Sequence, residues 1–269
     1  MSRPSEFVPS DYDWMFADRV RTTAYLSAIA SVVRPGDVVV EIGTGVGYFA
    51  VAAARAGARM VYAIESDPSI VLAEQLIREN GCGDRVRCVR GDANQIVLPE
   101  RGTVLLSDVR GLLPLFGDAI PTLINVRERM LAPDARLIPR RDVVHAAPCT
   151  APRKWAQDEL ALGLAPHGVS RQVLAARARS RLHGDRVDSA AICAAPAQVA
   201  ILDYATITSP DVDATVSWAV DRAAPLEGIA LWFDADLADS VGFSTSPSNQ
   251  HRATRSNARS ACVSWRAHM

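Results

Sequence analysis

The stretch "VVVEIGTGVGYFA", residues 38–50, decides how this chain folds. Its first five residues are β-branched and apolar with one acid among them. A strand covered on both faces in a parallel sheet reads this way. Gly43, Gly45 and Gly47 then follow at alternate positions. A turn that leaves a strand and enters a helix exposes its peptide groups to a ligand only where side chains are absent. A dinucleotide fingerprint would carry its third glycine where Tyr48 stands, so the spacing departs from G-x-G-x-x-G. Glu41 places negative charge just ahead of the turn, where pyrophosphate is unwelcome and a zwitterionic or cationic ligand fits better.

Outward from this turn the chain keeps a regular rhythm. Residues 11–33 read as a helix with Met15, Val20, Tyr25, Leu26 and Ile29 on an apolar face, broken at Pro35-Gly36. "YFAVAAARAGA" is a small-residue helix, "MVYAIE" (60–65) a buried strand, and "SIVLAEQLIREN" (69–80) a helix stopped by Gly81. "RVRCVRGDA" (85–93) and "TVLLSDV" (103–109) supply two more strands. Strand alternating with helix predicts a doubly wound parallel sheet. After about residue 148 the rhythm changes. Helical readings at 152–164 and an Arg/Ala-rich stretch at 171–181 give way to strand-like "QVAILDYATI" (198–207), "ATVSWAV" (214–220) and "GIALWFDADL" (228–237). A smaller β-rich domain is expected there.

Composition narrows the function classes. The 269 residues are 49% apolar and 22% charged, and the formal charge of −1 gives no pull toward nucleic acid or an anionic membrane. Five cysteines show no CxxC pair or Cys/His cluster, so neither a disulfide framework nor a metal site is expected. No apolar run approaches the roughly 18 residues that span a bilayer. The opening "MSRPSEFVPSDYDW" lacks a signal-peptide core, and a cytoplasmic protein is expected.

Two acids add chemistry to the glycine turn. Glu65 ends the second strand, where a carboxylate can accept both hydroxyls of a ribose. Asp92, in "RGDA" after the third strand, can accept from an adenine amino group. Ribose acceptor, adenine acceptor and glycine turn describe an adenosine site lacking phosphate, and S-adenosyl-L-methionine is that ligand. Thr44, Ser66 and Ala93 sit in the same three loops and complete the expected cofactor set.

Several segments resemble the protein arginine methyltransferases, a branch of the class I S-adenosylmethionine-dependent methyltransferases. "WMFADRVRTTAY" is similar to that family's helix E-M-L-x-D-x-V-R-T-x-x-Y, which folds over the cofactor. "VVEIGTGVGYFAVAAARAGARMVYAIE" resembles its first motif and the strand after it. "LFGDAIPTLINVRERMLAPDARLIP" resembles its L-x-P-G-G-x-x-x-P segment, and "YATITSPDV" with "GIALWFDADLADSVGFSTSP" resembles strands of its C-terminal barrel. The resemblance implies an α/β chain, a Rossmann-like class I sheet followed by a smaller barrel-like domain. Residues 1–35 would form a helical lid, 36–148 the cofactor domain, 149–247 a substrate and dimerisation domain, and 248–269 an atypical tail. It further implies that Arg21 meets the methionine carboxylate, that Gly43 and Gly45 line the methionine, and that Glu65 holds the ribose. Met15 and Tyr25, on the covering helix, are assigned to the acceptor. A homodimer built on a helical arm at 152–181 is the implied assembly.

The resemblance fails where chemistry should occur. The family's acceptor loop grips a guanidinium with two glutamates; here "SDVRGLLPLFGD" (107–118) has Asp108 at the first position and Gly117 at the second, with Asp118 beside it. A guanidinium clamp needs a carboxylate on each side of the fork, so Asp108 and Asp118 are the catalytic candidates. Arg110 has entered the loop, where it would repel a guanidinium and attract an acid group of a substrate, or else turn to solvent or pair with Asp108. The tail "SNQHRATRSNARSACVSWRAHM" lacks the family's Thr-His-Trp triplet and shows no strand alternation. N-methylation of arginine, or of a guanidine-bearing small molecule or peptide, is the leading expectation. O-methylation of a small acidic metabolite and cofactor binding without catalysis stay open.

Overall fold

The structure is a computed structural model that describes residues 12, 15–150, 182–185, 187–220, 224–249 and 260–264. The helical readings at 152–164 and 171–181, and with them the dimerisation arm, lie outside the described residues. Two compact units divide the chain. One takes Met1–Asp142, Leu202–Asp211 and Ala235–Phe243; the other takes Val143–Ile201, Val212–Asp234 and Ser244–Met269.

The first unit holds β1 (Val38–Ile42), β2 (Met60–Glu65), β3 (Val86–Arg90), β4 (Gly102–Ser107) and β5 (Leu131–Ile138) in the order β3-β2-β1-β4-β5. All four neighbouring pairs are parallel. Every residue of β1 is buried, which is why its apolar run carries no alternation. Strand order reverses between β1 and β4, so their carboxyl ends open the crevice in which such sheets bind ligands. The longer helices of this unit are α1 (Arg19–Val32), α2 (Tyr48–Arg55), α3 (Ile70–Glu79) and α4 (Ala119–Met130). The helical stretch predicted over 11–33 is interrupted rather than continuous: residues 15–17 are helical, and the Asp18 side chain then accepts the Arg21 N–H at 3.2 Å and caps α1. α1 buries Thr22, Ala24, Tyr25, Ala28 and Ile29.

The second sheet contains β6 (Arg141–Cys149), β7 (Leu182–Asp185), β8 (Ala197–Asp203), β9 (Gly228–Ala238), β10 (Val241–Ser244) and β11 (Ser260–Ser264). Its path runs β7-β11-β9-β6-β8, with β10 on β9, and β11 is antiparallel to both β7 and β9. In the second unit Ala147, Cys149, Val187, Ala230 and Trp232 form a buried cluster. Among the described residues no helix is long and apolar enough to cross a membrane.

Two sequence readings need correction. Ala214–Val220 alternates like a strand yet forms none. Alternation marks a strand only where a neighbour supplies the ladder, and Val220 stays exposed. Conversely, "SACVS" in the tail makes a ladder with Gly228–Leu231 and with Leu182–Asp185. Backbone pairing on two sides holds a segment whose small residues show no amphipathic signal.

Candidate functional site

The turn after β1 is built from backbone. The N–H groups of Gly43 and Thr44 both donate to the Ile64 carbonyl, at 2.9 and 3.1 Å, which ties the turn to the end of β2. Gly45 has φ +55°, and a Cβ there would lie 2.5 Å from the Tyr12 ring. Gly47 caps α2 at φ +82°, with Ala73 and Ile77 of α3 just over 3 Å from where its Cβ would stand. Gly47 therefore permits the close helix packing that a dinucleotide fingerprint assigns to its third glycine. Tyr48 is free to turn outward, where its ring lies 4.4 Å from that of Phe16.

Glu65 closes the turn. One carboxylate oxygen accepts the Gly45 N–H at 2.9 Å and the other accepts the Asp67 N–H at 2.9 Å. Ser66 is exposed beside it. Glu41 lies underneath at 2% exposure and accepts the Thr44 hydroxyl at 2.7 Å. Burial raises the Glu41 carboxyl to about 8 against the Thr44 hydrogen bond, and the Glu65 and Asp108 charges push the same way. The sequence reading of Glu41 as a standing negative charge is corrected: at neutral pH, with no cation beside it, this group is mostly protonated.

Asp92 and Ala93 follow β3. Exposed Asp92 accepts the Asn94 N–H at 2.9 Å and so shapes its own loop. Arg129 of α4 pins that loop by donating to the carbonyls of Ala93 (2.7 Å) and Ile96 (2.9 Å).

The end of β4 is built from side chains instead. Asp108 is ion-paired with Arg21, which also donates to the Met15 carbonyl at 2.7 Å. The other oxygen of Asp108 accepts the Tyr25 hydroxyl at 3.1 Å and faces Arg110 at 3.3 Å. Arg110 is only 2% exposed. It donates to Asp142 at 2.7 Å and to the Tyr25 hydroxyl at 2.6 Å, and its guanidinium lies 5.7 and 5.4 Å from the ring centroids of Tyr25 and Phe243. Burial alone would loosen its proton; the carboxylates of Asp142 and Asp108 and the neighbouring tyrosines outweigh that and hold it more firmly than in free arginine. Asp142, at 0% exposure, also accepts the Tyr204 hydroxyl at 2.6 Å.

This arrangement corrects two sequence readings. Arg110 is enclosed by acids of its own chain and does not present its charge to a substrate. Tyr25 has no exposed surface, and burial raises its hydroxyl pKa well above the usual tyrosine value. Asp118 sits exposed at the cap of α4. Tyr12, Asp142, Tyr204 and Phe243 escaped sequence reasoning. Only Asp142, an acid opening an apolar strand, carries a local signal.

The residues present fit a sulfonium nucleoside. The turn offers bare backbone at Gly43 and Gly45, Glu65 stands at the β2 end where sugar hydroxyls would lie, and Ser107 holds a buried hydroxyl with no partner among the described residues.

Two family models match the chain. Residues 14–109 match the TRM5/TYW2 methyltransferase domain, and residues 143–265 match the arginine methyltransferase oligomerization subdomain. A probable protein arginine N-methyltransferase 6.2 of Oryza sativa subsp. indica is 26% identical over 235 residues, which is 84% of this chain and 59% of that protein. The protein arginine N-methyltransferase PRMT10 of Oryza sativa subsp. japonica is 37% identical over 136 residues, or 50% of this chain and 36% of that one. The chain thus spans about three-fifths of the length of the first of these. Among solved structures, the Trypanosoma brucei PRMT1 enzyme-prozyme heterotetrameric complex with AdoHcy superposes with a TM-score of 0.84 at 21% identity, covering 97% of this chain and 84% of that one. Arabidopsis thaliana protein arginine methyltransferase 10 gives 0.81 at 23% identity, over 96% and 83%. These two likenesses establish the fold. With both halves of the sequence similar to methyltransferase models and the crevice formed as described, the chain is similar to the protein arginine methyltransferases and shares their fold.

Proposed function

We propose that this chain is an S-adenosyl-L-methionine-dependent methyltransferase acting on a guanidine nitrogen of arginine, free or in a peptide. The observation that carries the reading is the crevice between β1 and β4, with a glycine turn bridged by Glu65 on one side and a fixed carboxylate, Asp108, on the other. When bound, the cofactor would supply an electrophilic methyl group on a positively charged sulfur, and Asp108 would take the proton that the acceptor gives up.

Every other part of the task falls to the chain. Gly43, Gly45 and Glu65 hold the nucleoside, with Thr44, Gly47, Ser66, Asp92 and Ala93 in the surrounding loops. Arg21 takes the ligand's carboxylate, which competes with Asp108 for the same guanidinium. Glu41 gains its charge when a cation arrives, because an opposite charge nearby favours the ionised form. Asp108 orients the acceptor and keeps positive charge off the attacking nitrogen, and alignment at near-attack distance supplies most of the acceleration. Asp118 is too exposed to share that work from the position described. A hydroxyl acceptor is the second reading, favoured because Arg21 and Arg110 already offset the Asp108 charge that would draw a cation.

The match to an oligomerization subdomain supports self-association. Incubation with methyl-labelled cofactor and a panel of free arginine, arginine peptides and acidic metabolites tests the reading. Label is expected on guanidine nitrogen; label found only on hydroxyl or carboxyl groups overturns it.

A further inference from the structure

We infer that Arg110, braced by Asp142 and Tyr204, is a positioning residue that fixes the Asp108 carboxylate in the acceptor crevice. The inference rests on the role given above to Asp108.

The argument begins with burial. A guanidinium at 2% exposure is strongly disfavoured unless paired and hydrogen-bonded. Asp142 provides that pairing from a site with no exposure of its own, and Tyr204 occupies its second oxygen. The chain therefore commits a buried carboxylate and a buried hydroxyl to holding one arginine in a single place. Replacing such a pair by apolar groups is often neutral or stabilising, so stability gives little reason to keep it.

Geometry gives a reason. The guanidinium is a rigid planar fork. One terminal nitrogen is fixed on Asp142 and the guanidinium lies against the rings of Tyr25 and Phe243, so the other nitrogen has one direction left. That nitrogen meets the Tyr25 hydroxyl at 2.6 Å and Asp108 at 3.3 Å. Tyr25 in turn donates to the Ser107 carbonyl at 2.8 Å and lies 3.1 Å from Asp108. The oxygen of Asp108 away from Arg21 is thus held by groups that are themselves buried and fixed. Arg21, on the more exposed side, is the partner that a ligand carboxylate can take; Arg110 is the partner that stays. When Arg21 leaves, Arg110 and Tyr25 keep Asp108 from turning after it.

The test compares wild type with Asp108→Asn, Arg110→Lys, Tyr204→Phe and the paired neutral change Arg110→Gln with Asp142→Asn. Readouts are the melting temperature, cofactor affinity by calorimetry, kcat against pH, and the NMR signals of the Arg110 guanidinium protons. The groups facing Asp108 are Arg21 and Tyr25 of α1, Arg110 of its own loop, through Arg110 the Asp142 carboxylate of β6, and the buried Glu41 carboxyl of β1, which feels the Asp108 charge. In wild type the Arg110 protons are expected to be separately resolved and slow to exchange, and to shift in Asp108→Asn. The neutral pair is expected to bind cofactor within about threefold of wild type and to lose about 100-fold in kcat, the scale of a misplaced reacting group. The acid limb of its rate profile moves to higher pH. Arg110→Lys keeps charge without the fork and recovers less than a tenth of the loss. Tyr204→Phe, which leaves the ion pair intact, covers the case in which the neutral pair does not fold; it loses kcat severalfold with the same pH displacement. An active neutral pair or Arg110→Lys with an unmoved profile, beside an inactive Asp108→Asn, overturns the positioning role. An Asp108→Asn variant as active as wild type overturns instead the role of Asp108. Arg110 signals indifferent to Asp108→Asn refute the contact without any assay.

Discussion

The carboxyl ends of β1 and β4 face one crevice but are made from different material. After β1 the site is peptide: glycines at positive φ, backbone N–H groups on the Ile64 carbonyl, one acid tying them together. After β4 it is side chain: Asp108 lies in a network drawn from α1, the loop after β4, β6, the residues after β8, and β10. Sites of the first kind accept few substitutions and look alike across a fold. Sites of the second kind can be rebuilt one residue at a time, which fits a conventional cofactor turn beside an unusual acceptor loop.

Breaking the side-chain half should give the largest effect. Asp142→Ala leaves the Arg110 charge buried without its main partner and is expected to destabilise the fold by about 3–5 kcal/mol, read by chemical denaturation. The neutral double change described above is expected to lose much less. A double change that loses as much as Asp142→Ala would contradict the view that the loss comes from an unpaired buried Arg110 charge.

Breaking the peptide half should instead spare stability and remove ligand. Gly45→Ala places a Cβ against the Tyr12 ring on a left-handed backbone. S-adenosyl-L-methionine affinity is expected to fall about 100-fold, with a stability loss of roughly 1–2 kcal/mol, measured by calorimetry and melting.

Glu41 sharpens the comparison through pH. Its folded value, about 8, lies above the model-peptide value of 4.5. Between those values the unfolded chain has lost a proton that the folded chain keeps, so this group's contribution is full at low pH and fades as pH rises toward 8. Wild type is expected to lose on the order of 2–3 kcal/mol relative to Glu41→Gln between pH 5 and pH 8. Parallel stability curves for the two proteins would contradict this. The smallest effect is expected at Tyr12→Phe, which removes the 2.9 Å hydrogen bond to Ser69 while keeping the ring on Gly45; about 1 kcal/mol and less than a threefold change in cofactor affinity are expected.

The same contrast explains what the sequence makes legible. The β1 turn, the buried strands and Glu65 are local patterns, readable within a window of a few residues. α4 carried a readable face at Ile120, Leu123, Val126 and Met130, but its proline and arginines mask it, and it and the strands on either side of residue 140 went unrecognised. The tail strand is specified by its partners β7 and β9. The network around Arg110 joins residues 32 and 85 positions away and, through Asp142, one 62 further along. Nothing in "SDVRG" announces that its arginine turns inward. Read locally, Arg110 belongs to a substrate; read with Asp142 and Tyr204, it belongs to the protein.

Calorimetric titration of S-adenosyl-L-methionine into wild type and Glu65→Ala, in two pH 7 buffers of different ionisation enthalpy, tests the central claim most directly. The account predicts one molecule bound per chain, release of nearly one proton as Glu41 ionises, and at least about 100-fold weaker binding in Glu65→Ala. No binding at millimolar ligand, or binding indifferent to Glu65, would contradict it.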